Sequence, residues 1–294
     1  MKNILILGKK SYIGESLFLW LSQYPDRYKV DIISTLNYEW KNTDFSFYDV
    51  VIDLAGIAHI NNATAKMKSL FYAINRDLTI EIAKHAKEKK VKHFIYFSSM
   101  NVYGDYCNHI IDKSKTNPTS FYGDSKLQGD IGVQKLKNKN FIISVLRPPF
   151  VYGKNCSGNY NKISSIAKKT PVFPDFKNKK SMIYIDNLCE FIRFIIDNNS
   201  GGYFTPQNKE LVSTSDLVRE IAKQNKKKIL FTKFFNIIIH IGNKISPTIR
   251  RAFANDYYDL SLSSDYNFNY CLVSFKDSIK RTEGLSLIEF EVKS

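Results

Sequence analysis

NILILGKKSYIG (residues 3–14) combines a short apolar run, a loop with two glycines and the start of an amphipathic segment. The run Asn3–Leu7 predicts a buried strand, and the apolar positions of Tyr12–Ser22 recur with the helical period. Between them, a glycine permits the tight turn that a strand needs before it enters a helix. The stretch therefore predicts the first strand–loop–helix unit of a layered α/β fold.

The same alternation continues along the chain. Strands are predicted at Val30–Ile33, Val50–Leu54, Phe94–Phe97, Phe141–Leu146 and Met182–Ile185, and helices at Asn75–Lys89, Tyr122–Leu136, Leu188–Asp197 and Ser213–Gln224. The strands are apolar throughout, as strands covered by helices on both faces are. The predicted fold class is α/β, a doubly wound parallel sheet of the Rossmann type with a smaller C-terminal substrate-binding part. Residues 1–155 are expected to form mainly the nucleotide-binding core, and residues 156–294 mainly the substrate-binding part, with some segments returning to the core.

The charge balance is strongly basic. Among 294 residues there are 43 Lys and Arg against 28 Asp and Glu, a formal net charge of +15. Such a charge suits nucleic acid, an anionic membrane or a small anionic substrate. Because the lysines are scattered and no arginine-rich stripe is present, we expect no nucleic-acid partner, only a general excess of lysine.

The cysteine and histidine contents exclude several other classes. Cys107, Cys156, Cys189 and Cys271 are far apart and form no Cys-x-x-Cys pair, and only five histidines accompany them. No metal site is predicted, and the cysteines are expected to be reduced. The N-terminal apolar run is too short for a signal peptide and ends at a glycine loop, so a cytoplasmic location is expected.

The first loop has the spacing of a phosphate-binding loop. Gly8, Ser11 and Gly14 stand at relative positions one, four and seven, which matches a GxxGxxG fingerprint except at Ser11. The helix that follows would present free N–H groups and the positive end of its dipole to a diphosphate. The loop therefore predicts a dinucleotide site, although a strand–glycine–helix start by itself is common.

The end of the second predicted strand bears on the choice of cofactor. Dinucleotide sites often place an acidic residue there to bind the adenine ribose. Here Asp31 lies inside the strand, and Ser34 and Thr35 follow it. The missing acid leaves room for a 2′-phosphate, but no arginine follows to bind one. NAD and NADP both stay open, and NADPH is slightly favoured.

A tyrosine and a lysine stand four residues apart in one predicted helix. Tyr122 and Lys126 therefore share a helix face, and we expect the ammonium to lower the pKa of the phenol. Such a phenol can exchange a proton with a hydroxyl or carbonyl group while hydride moves to or from nicotinamide. Ser99 ends the fourth predicted strand, 23 residues before Tyr122, and its hydroxyl can bond to the same substrate oxygen.

Several further motifs occur in a characteristic order. They are the glycine loop, Asp53-Leu54-Ala55-Gly56, Asn75 with Thr79, Ser98-Ser99 with Val102-Tyr103-Gly104, Tyr122 with Lys126, Arg147-Pro148-Pro149 with Tyr152-Gly153, and Tyr184-Ile185-Asp186-Asn187-Leu188. Together they resemble the extended short-chain dehydrogenases/reductases of the NAD-dependent epimerase/dehydratase family. The resemblance runs from about Asn3 to the helix that begins near Ser213.

This resemblance implies roles for individual residues. The implied catalytic residues are Ser99, Tyr122 and Lys126. The implied cofactor-binding residues are Gly8, Ser11, Tyr12, Ile13, Gly14, Leu54, Ala55, Gly56, Asn75, Ser98, Tyr122, Lys126 and Pro149. The implied substrate-binding residues are Ser99, Asn101, Tyr122, Asn159 and Lys180. The family also implies a nucleotide-sugar substrate and often a homodimer.

Within the family, the motifs are most similar to enzymes of capsule and O-antigen biosynthesis. The favoured activity is a 4-ketoreductase of a UDP-4-keto-6-deoxy-N-acetylhexosamine, and the alternative is a UDP-sugar 4-epimerase that retains its NAD. A dehydratase is disfavoured because Met100 and Asn101 replace the Asp–Glu pair that dehydratases carry after the serine. A non-catalytic dinucleotide sensor is a remote alternative, since such proteins usually lose the tyrosine or the lysine.

The segment 227–251 is rich in apolar residues, both aromatic and aliphatic, and also in lysine and arginine. Its apolar residues are Phe231, Phe234, Phe235, Ile237, Ile238, Ile239 and Ile241. We expect them to form the core of the substrate-binding part beneath solvated lysines. The alternative is a weak peripheral contact with an anionic membrane.

Overall fold

Strands and helices alternate along the chain in the computed structural model, which describes residues 1–58, 65–264, 266 and 268–284. Within these ranges the strands are β1 (Lys2–Leu7), β2 (Tyr28–Ile33), β3 (Val50–Asp53), β4 (His93–Phe97), β5 (Asn108–Ile110), β6 (Ile142–Leu146), β7 (Phe150–Tyr152), β8 (Val172–Pro174), β9 (Met182–Tyr184), β10 (Gly202–Phe204), β11 (Leu230–Thr232) and β12 (Asp256–Tyr258). The α-helices are α1 (Tyr12–Leu21), α2 (Ala65–Tyr72), α3 (Thr79–Glu88), α4 (Phe121–Gln134), α5 (Asn159–Lys169), α6 (Ile185–Asn198), α7 (Thr214–Gln224), α8 (Asn236–Ile245), α9 (Pro247–Phe253), α10 (Ser261–Ser264) and α11 (Phe275–Thr282).

Six strands form one parallel sheet in the order β10-β6-β4-β3-β1-β2. The chain adds β2 on one side of β1 and all later strands on the other side. The strand order therefore reverses at β1, and in open α/β sheets ligands bind at such a reversal, beyond the carboxyl ends of the strands. The predicted α/β fold of the Rossmann type is confirmed.

The core explains why the strands are apolar on both faces. Ile4 and Ile6 of β1 pack on one side of the sheet with Leu17 of α1, and Leu5 and Leu7 pack on the other side. All five side chains are fully buried. Because successive residues of a strand point to opposite faces, helices on both sides require an unbroken apolar run.

The observed elements differ from the predicted ones at three places. The helix predicted at Asn75–Lys89 begins at Ala65, because α2, a π-helical turn over Ala73–Leu78 and α3 follow one another without a break. A strand that was not predicted, β10, begins at Gly202 and pairs with β6. The predicted strand near Met182 exists, but β9 pairs with β7 outside the main sheet.

The C-terminal half contributes both to the core and to a second layer. Helix α6 contacts α1, and β10 completes the edge of the main sheet. Three two-stranded parallel sheets, β7–β9, β8–β11 and β5–β12, hold the remaining segments beyond the carboxyl edge. The last ten residues of the predicted substrate-binding part lie outside the described residues.

The prediction that segment 227–251 forms core is wrong for most of its apolar residues. Ile239 is buried, whereas Phe234, Ile237, Ile238 and Ile241 are exposed to solvent. The segment forms β11, a short 3₁₀ turn, α8 and the start of α9. Helix α8 therefore packs on the protein with one narrow face only.

Candidate active site

The loops that follow β1, β3, β4 and β6 converge at the carboxyl edge of the sheet. The amide of Leu54 donates to the carbonyl of Leu7 at 3.0 Å, and the amide of Ser98 donates to Leu146 at 2.8 Å. The amide of Met100 donates to the carbonyl of Pro148 at 3.1 Å. Segments predicted separately from the sequence are thus brought together in one place.

The glycine loop has the geometry of an anion cradle. The hydroxyl of Ser11 caps α1 by accepting from the amide of Gly14 at 3.0 Å. A Cβ at Gly14 would overlap the carbonyl oxygen of Gly8, so only glycine fits there. The amides of Tyr12 and Ile13 lie in the first turn and have no intrahelical acceptor. These free amides fit the diphosphate of a dinucleotide.

The loop after β3 passes closely between the glycine loop and helix α4. A Cβ at Gly8 would lie 2.9 Å from the Cβ of Leu54, and a Cβ at Gly56 would lie 2.8 Å from Nζ of Lys126. Gly56 is exposed, and Ala55 is buried beneath it. The backbone at Gly56 therefore forms an open wall beside the lysine, as the wall of a cofactor cleft requires.

Helix α4 packs directly on the turn that carries the predicted catalytic serine. Ser120 caps the helix by accepting from the amide of Gly123 at 3.3 Å. A side chain at Gly123 would overlap the carbonyl oxygen of Asn101. This close approach places the first turn of α4, with Tyr122, beside Ser99.

Ser99 is oriented by its neighbour Asn101. Its hydroxyl donates to Oδ1 of Asn101 at 2.9 Å and accepts from the amide of Asn101 at 3.2 Å. Nδ2 of Asn101 donates in turn to Asp105 at 2.7 Å. Asn101, predicted as a substrate-binding residue, thus also positions the serine hydroxyl.

Burial raises the pKa of the Tyr122 phenol above its ordinary value. The hydroxyl of Ser99, which can donate a hydrogen bond to the phenolate, opposes this rise. The expected lowering by Lys126 is wrong for this structure, because the lysine amine is directed at backbone oxygens. It donates to the carbonyl of Phe97 at 2.8 Å and to that of Ala55 at 3.5 Å. Burial therefore favours the protonated form of the Tyr122 phenol.

Lys126 itself is buried and strongly perturbed. Burial lowers its pKa to about 8, and the carboxylates of Asp53 and Asp130 oppose this lowering. Asp53 is fully buried, and burial raises its pKa to about 6 in spite of the nearby ammonium. Its Oδ1 accepts from the amide of Ala55 at 2.9 Å. The sequence analysis included Asp53 in a motif but assigned it no function.

A second buried carboxylate lies one turn beyond Lys126 on α4. Asp130 bonds to Nε of Arg147 at 2.9 Å, and both side chains are buried. Arg147 also donates to the hydroxyl of Tyr103 at 2.9 Å. The four-residue spacing from Lys126 to Asp130 was a signal that the sequence analysis did not use.

Comparison with known proteins identifies the family. The model of the NAD dependent epimerase/dehydratase family matches residues 4–204. The chain belongs to this family. The family prediction is thus confirmed, and with it the prediction of an NAD(P)-dependent enzyme that modifies nucleotide sugars.

Individual relatives are distant. UDP-glucose 4-epimerase of Vibrio cholerae is 28% identical over 248 residues, which cover 75% of each chain. N-acetyl-α-D-glucosaminyl-diphospho-ditrans,octacis-undecaprenol 4-epimerase of Escherichia coli O157:H7 is 30% identical over 168 residues, 55% of this chain and 51% of that protein. A mutant of UDP-glucuronic acid 4-epimerase from Bacillus cereus, solved with a UDP-sugar analogue and NAD, superposes with a TM-score of 0.73 at 20% identity, covering 96% of this chain and 98% of that one. This last likeness shows the fold.

Three cofactor-site residues predicted from the family, Asn75, Ser98 and Pro149, are buried. Nδ2 of Asn75 donates to the carbonyl of Ile57 at 3.2 Å and to the hydroxyl of Ser125 at 3.0 Å, and its Oδ1 accepts from the amide of Ile57 at 2.9 Å. Asn75 thus connects the loop after β3 to helix α4. Pro149 is buried beside the turn that carries Ser99. Ser98 is also buried, and its hydroxyl acts on Asp130, where it opposes the rise in the pKa of that carboxyl caused by burial.

The two family residues predicted to bind the far end of the substrate lie in the C-terminal half. Asn159 is the first residue of α5 and is partly exposed. Lys180 forms isolated backbone bridges with Val212 and Asp256. Burial lowers the pKa of Lys180, and the carboxylate of Asp256 opposes this change. None of the hydrogen bonds in the described ranges joins either residue to the Ser99–Tyr122 pair.

Neither a metal centre nor a membrane span emerges from the described part of the chain. No group of three or more His, Cys, Asp or Glu residues in that part could hold a metal ion. Likewise, none of the helices observed there is long and apolar enough to cross a bilayer.

The Asp53 carboxylate should set the alkaline limit of the family reaction. In the Asp53→Asn variant, Lys126 loses the carboxylate that most favours its ammonium form, so the pKa of Lys126 should fall further below about 8. We expect a several-fold loss of kcat near pH 8 and little change at lower pH, because the ammonium is lost as pH rises. A pH profile of kcat measures the shift. The Asp77→Asn variant is the control, because Asp77 is exposed on the surface. An alkaline limb identical to that of the wild type would contradict the assignment.

Proposed function

We propose that the chain is an NADP(H)-dependent 4-ketoreductase of a nucleotide-activated sugar. The observation that carries this proposal is the position of the buried Tyr122 phenol beside the hydroxyl of Ser99, where burial raises the pKa of the phenol. Reduction of a ketone requires a proton donor at the carbonyl oxygen, and a phenol whose pKa is raised by burial remains such a donor at neutral pH. An enzyme that first oxidises the sugar would instead need a phenolate.

The side chains divide the work as follows. When bound, reduced nicotinamide supplies a hydride to C4 of the sugar. Tyr122 donates a hydrogen bond to the C4 oxygen and gives up its proton as the alcohol forms. Ser99 can donate to the same oxygen once its hydroxyl hydrogen turns away from Oδ1 of Asn101. Lys126, held against the carbonyls of Phe97 and Ala55, is the proposed ligand of the nicotinamide ribose. Asn101 keeps the serine hydroxyl in place.

The end of β2 supports NADP(H) over NAD(H). Asp31, the only acidic residue of β2, accepts a hydrogen bond from the hydroxyl of Tyr48 at 2.9 Å and is thus engaged within the protein. The amide of Lys9 donates to the carbonyl of Ile33 at 3.1 Å, so the exposed Lys9 lies directly beside this strand end. A 2′-phosphate there would meet an ammonium instead of a carboxylate.

A 4-epimerase that retains NAD is the second candidate. It is favoured by the names of two of the relatives, the proteins of Vibrio cholerae and Escherichia coli, both of which are 4-epimerases. One acts on a UDP-sugar and the other on a sugar linked to undecaprenyl diphosphate. The two carriers share a diphosphate, for which Lys180 and Asn159 are the proposed ligands.

UDP-4-keto-6-deoxy-N-acetylhexosamines are the first ketoreductase substrates to test.

The nucleotide that accompanies the purified protein distinguishes the two candidates. We expect protein purified without added cofactor to release little nucleotide on denaturation and then to bind NADPH at least about tenfold more tightly than NADH. Chromatography of the released material and titration of both nucleotides measure this. Near-stoichiometric NAD⁺ in the denatured sample would overturn the reductase and favour the 4-epimerase.

The preference for NADPH should depend on Lys9. The Lys9→Ala variant is expected to bind NADPH about tenfold more weakly, because it loses one charge-assisted contact to the 2′-phosphate, while its NADH affinity stays unchanged. The matched control is Lys29→Ala, since Lys29 is exposed at the opposite end of β2. An equal loss of affinity for NADPH and NADH would indicate that Lys9 contacts the diphosphate, which both nucleotides have, and not the 2′-phosphate.

A further inference from the structure

Helix α8 exposes an apolar stripe to solvent. Phe234, Ile237, Ile238, Ile241 and Ile245, here called the α8 face, are each between 58% and 77% exposed. Their spacing places them on one side of the helix and of the turn that precedes it. Five large apolar side chains side by side in water are unusual on a protein surface, and such patches mark interaction sites.

The opposite side of α8 is already packed. Ile239 and Gly242 are buried, and a side chain at Gly242 would overlap Ile249 of α9. This contact holds the Gly242 side of α8 against α9, so the α8 face is the side left in solvent.

The surroundings of the α8 face are cationic. Residues 221–255 contain eight Lys and Arg residues and no Asp or Glu. Lys233 and Lys244 are exposed near the two ends of the stripe, and Lys226, Lys227 and Lys228 are exposed in the turn before β11. Arg250 and Arg251 are engaged within the protein, with the carbonyls of Asn243 and Lys244 and with the hydroxyl of Tyr106.

We propose that the α8 face docks on an anionic lipid bilayer, with α8 lying in the plane of the interface. An apolar stripe flanked by lysines is the pattern of an interfacial helix, because the aliphatic groups enter the acyl boundary while the ammonium groups reach the headgroups. A helix of ten residues is about 15 Å long, roughly half of the hydrocarbon thickness, so it lies on the bilayer and does not cross it.

Charge argues against a second copy of the chain as the occupant. A two-fold interface would place the α8 face of one protomer against the same face of its partner. Residues 221–255 carry eight Lys and Arg and no Asp or Glu, so two copies of this segment brought face to face would repel each other. An anionic bilayer instead presents negative charge to these lysines, over an area larger than the α8 face.

Docking through α8 would hold the substrate-binding part at the membrane. Nδ2 of Asn178 donates to the carbonyl of Ala254 at 3.2 Å, and the amide of Asp256 donates to Lys179 at 2.9 Å. These bonds fasten the end of α9 to the segment that contains Lys180. The proposal concerns this surface alone and does not depend on which reaction the site performs.

Vesicle sedimentation tests the proposal on the full chain. We expect the wild-type protein to pellet with vesicles that contain phosphatidylglycerol, to stay in solution with pure phosphatidylcholine, and to be released by high salt. The triple variant Ile237→Ser, Ile241→Ser, Ile245→Ser should bind anionic vesicles at least about tenfold more weakly. Substitution of Leu36, Ile166 and Leu272 by Ser is the control, because these residues are exposed elsewhere, and its binding should equal that of the wild type.

A second variant reports insertion directly. Tryptophan emission of the Ile241→Trp variant should shift to the blue on addition of anionic vesicles and not of neutral ones. Equal pelleting of the triple variant and the wild type, or no spectral shift, would overturn the proposal. Light scattering without lipid that shows a wild-type dimer and a monomeric triple variant would overturn it in favour of self-association. Turnover of a water-soluble substrate by the triple variant should be unchanged, so loss of docking is distinguishable from loss of the active site.

Discussion

The Tyr122→Phe variant is expected to lose about 10²- to 10⁴-fold in kcat, because it lacks the proton donor of the site. The ring should stay in place, since its position depends on the packing of α4 against the Ser99 turn and not on the hydroxyl. Cofactor affinity should therefore stay within about twofold of the wild type. Steady-state kinetics with a sugar substrate and a binding titration with the dinucleotide measure the two effects separately.

A matched control for this variant is Tyr72→Phe. The hydroxyl of Tyr72 donates to Asp124 of the same helix at 2.6 Å, outside the Ser99–Tyr122 pair. Its removal should leave kcat near the wild-type value. Wild-type turnover by Tyr122→Phe would refute the catalytic assignment, and an equal loss in both variants would point to a disturbance of α4 as a whole.

The Asp130→Ala variant is expected to lower the free energy of unfolding by about 3–5 kcal/mol, because it leaves a buried guanidinium without its carboxylate. Arg147 is only 7% exposed and would keep the hydroxyl of Tyr103 as its remaining side-chain hydrogen-bond partner. Urea denaturation measures the change. Asp77→Ala is the control, since the Arg76–Asp77 pair is exposed and should contribute less than about 1 kcal/mol.

Replacement of both Asp130 and Arg147 should lower the free energy of unfolding by less than the sum of the losses caused by the two single replacements. The double variant Asp130→Leu, Arg147→Met replaces the pair by apolar side chains and leaves no isolated charge. We expect it to be more stable than Asp130→Ala. A loss for Asp130→Ala no larger than that for Asp77→Ala would show that the buried pair contributes little to stability.

Features that depend on short-range spacing could be predicted from the sequence. The strand–loop–helix start at residues 3–14, the unbroken apolar strands and the Tyr122–Lys126 spacing all follow from residues that are neighbours along the chain. Periods of two and 3.6 residues, and the turn geometry of glycine, belong to the chain itself. For this reason the fold class could be predicted, and Tyr122 and Lys126 could be proposed as a catalytic pair, without tertiary information.

Other features of the site could not be predicted because they depend on residues that are distant along the chain. Asp53 and Lys126 influence each other across 73 positions, and no local pattern connects them. The lowering of the Tyr122 pKa was expected from the four-residue spacing, but burial and the direction of the lysine amine decide the opposite sign. Desolvation is a property of the packed structure, so it has no signature in one segment.

The sequence by itself thus determined the parallel sheet, the glycine loop and the Tyr122–Lys126 pair, because hydrophobic period and side-chain spacing act locally. Only the tertiary structure decided which side of α8 is buried, since the side with most isoleucines is the one left in solvent and the contact of Gly242 with Ile249 selects the other. It also decided the charge state of the buried Asp53, Tyr122 and Lys126, because the balance of burial against neighbouring charge exists only after the chain has folded.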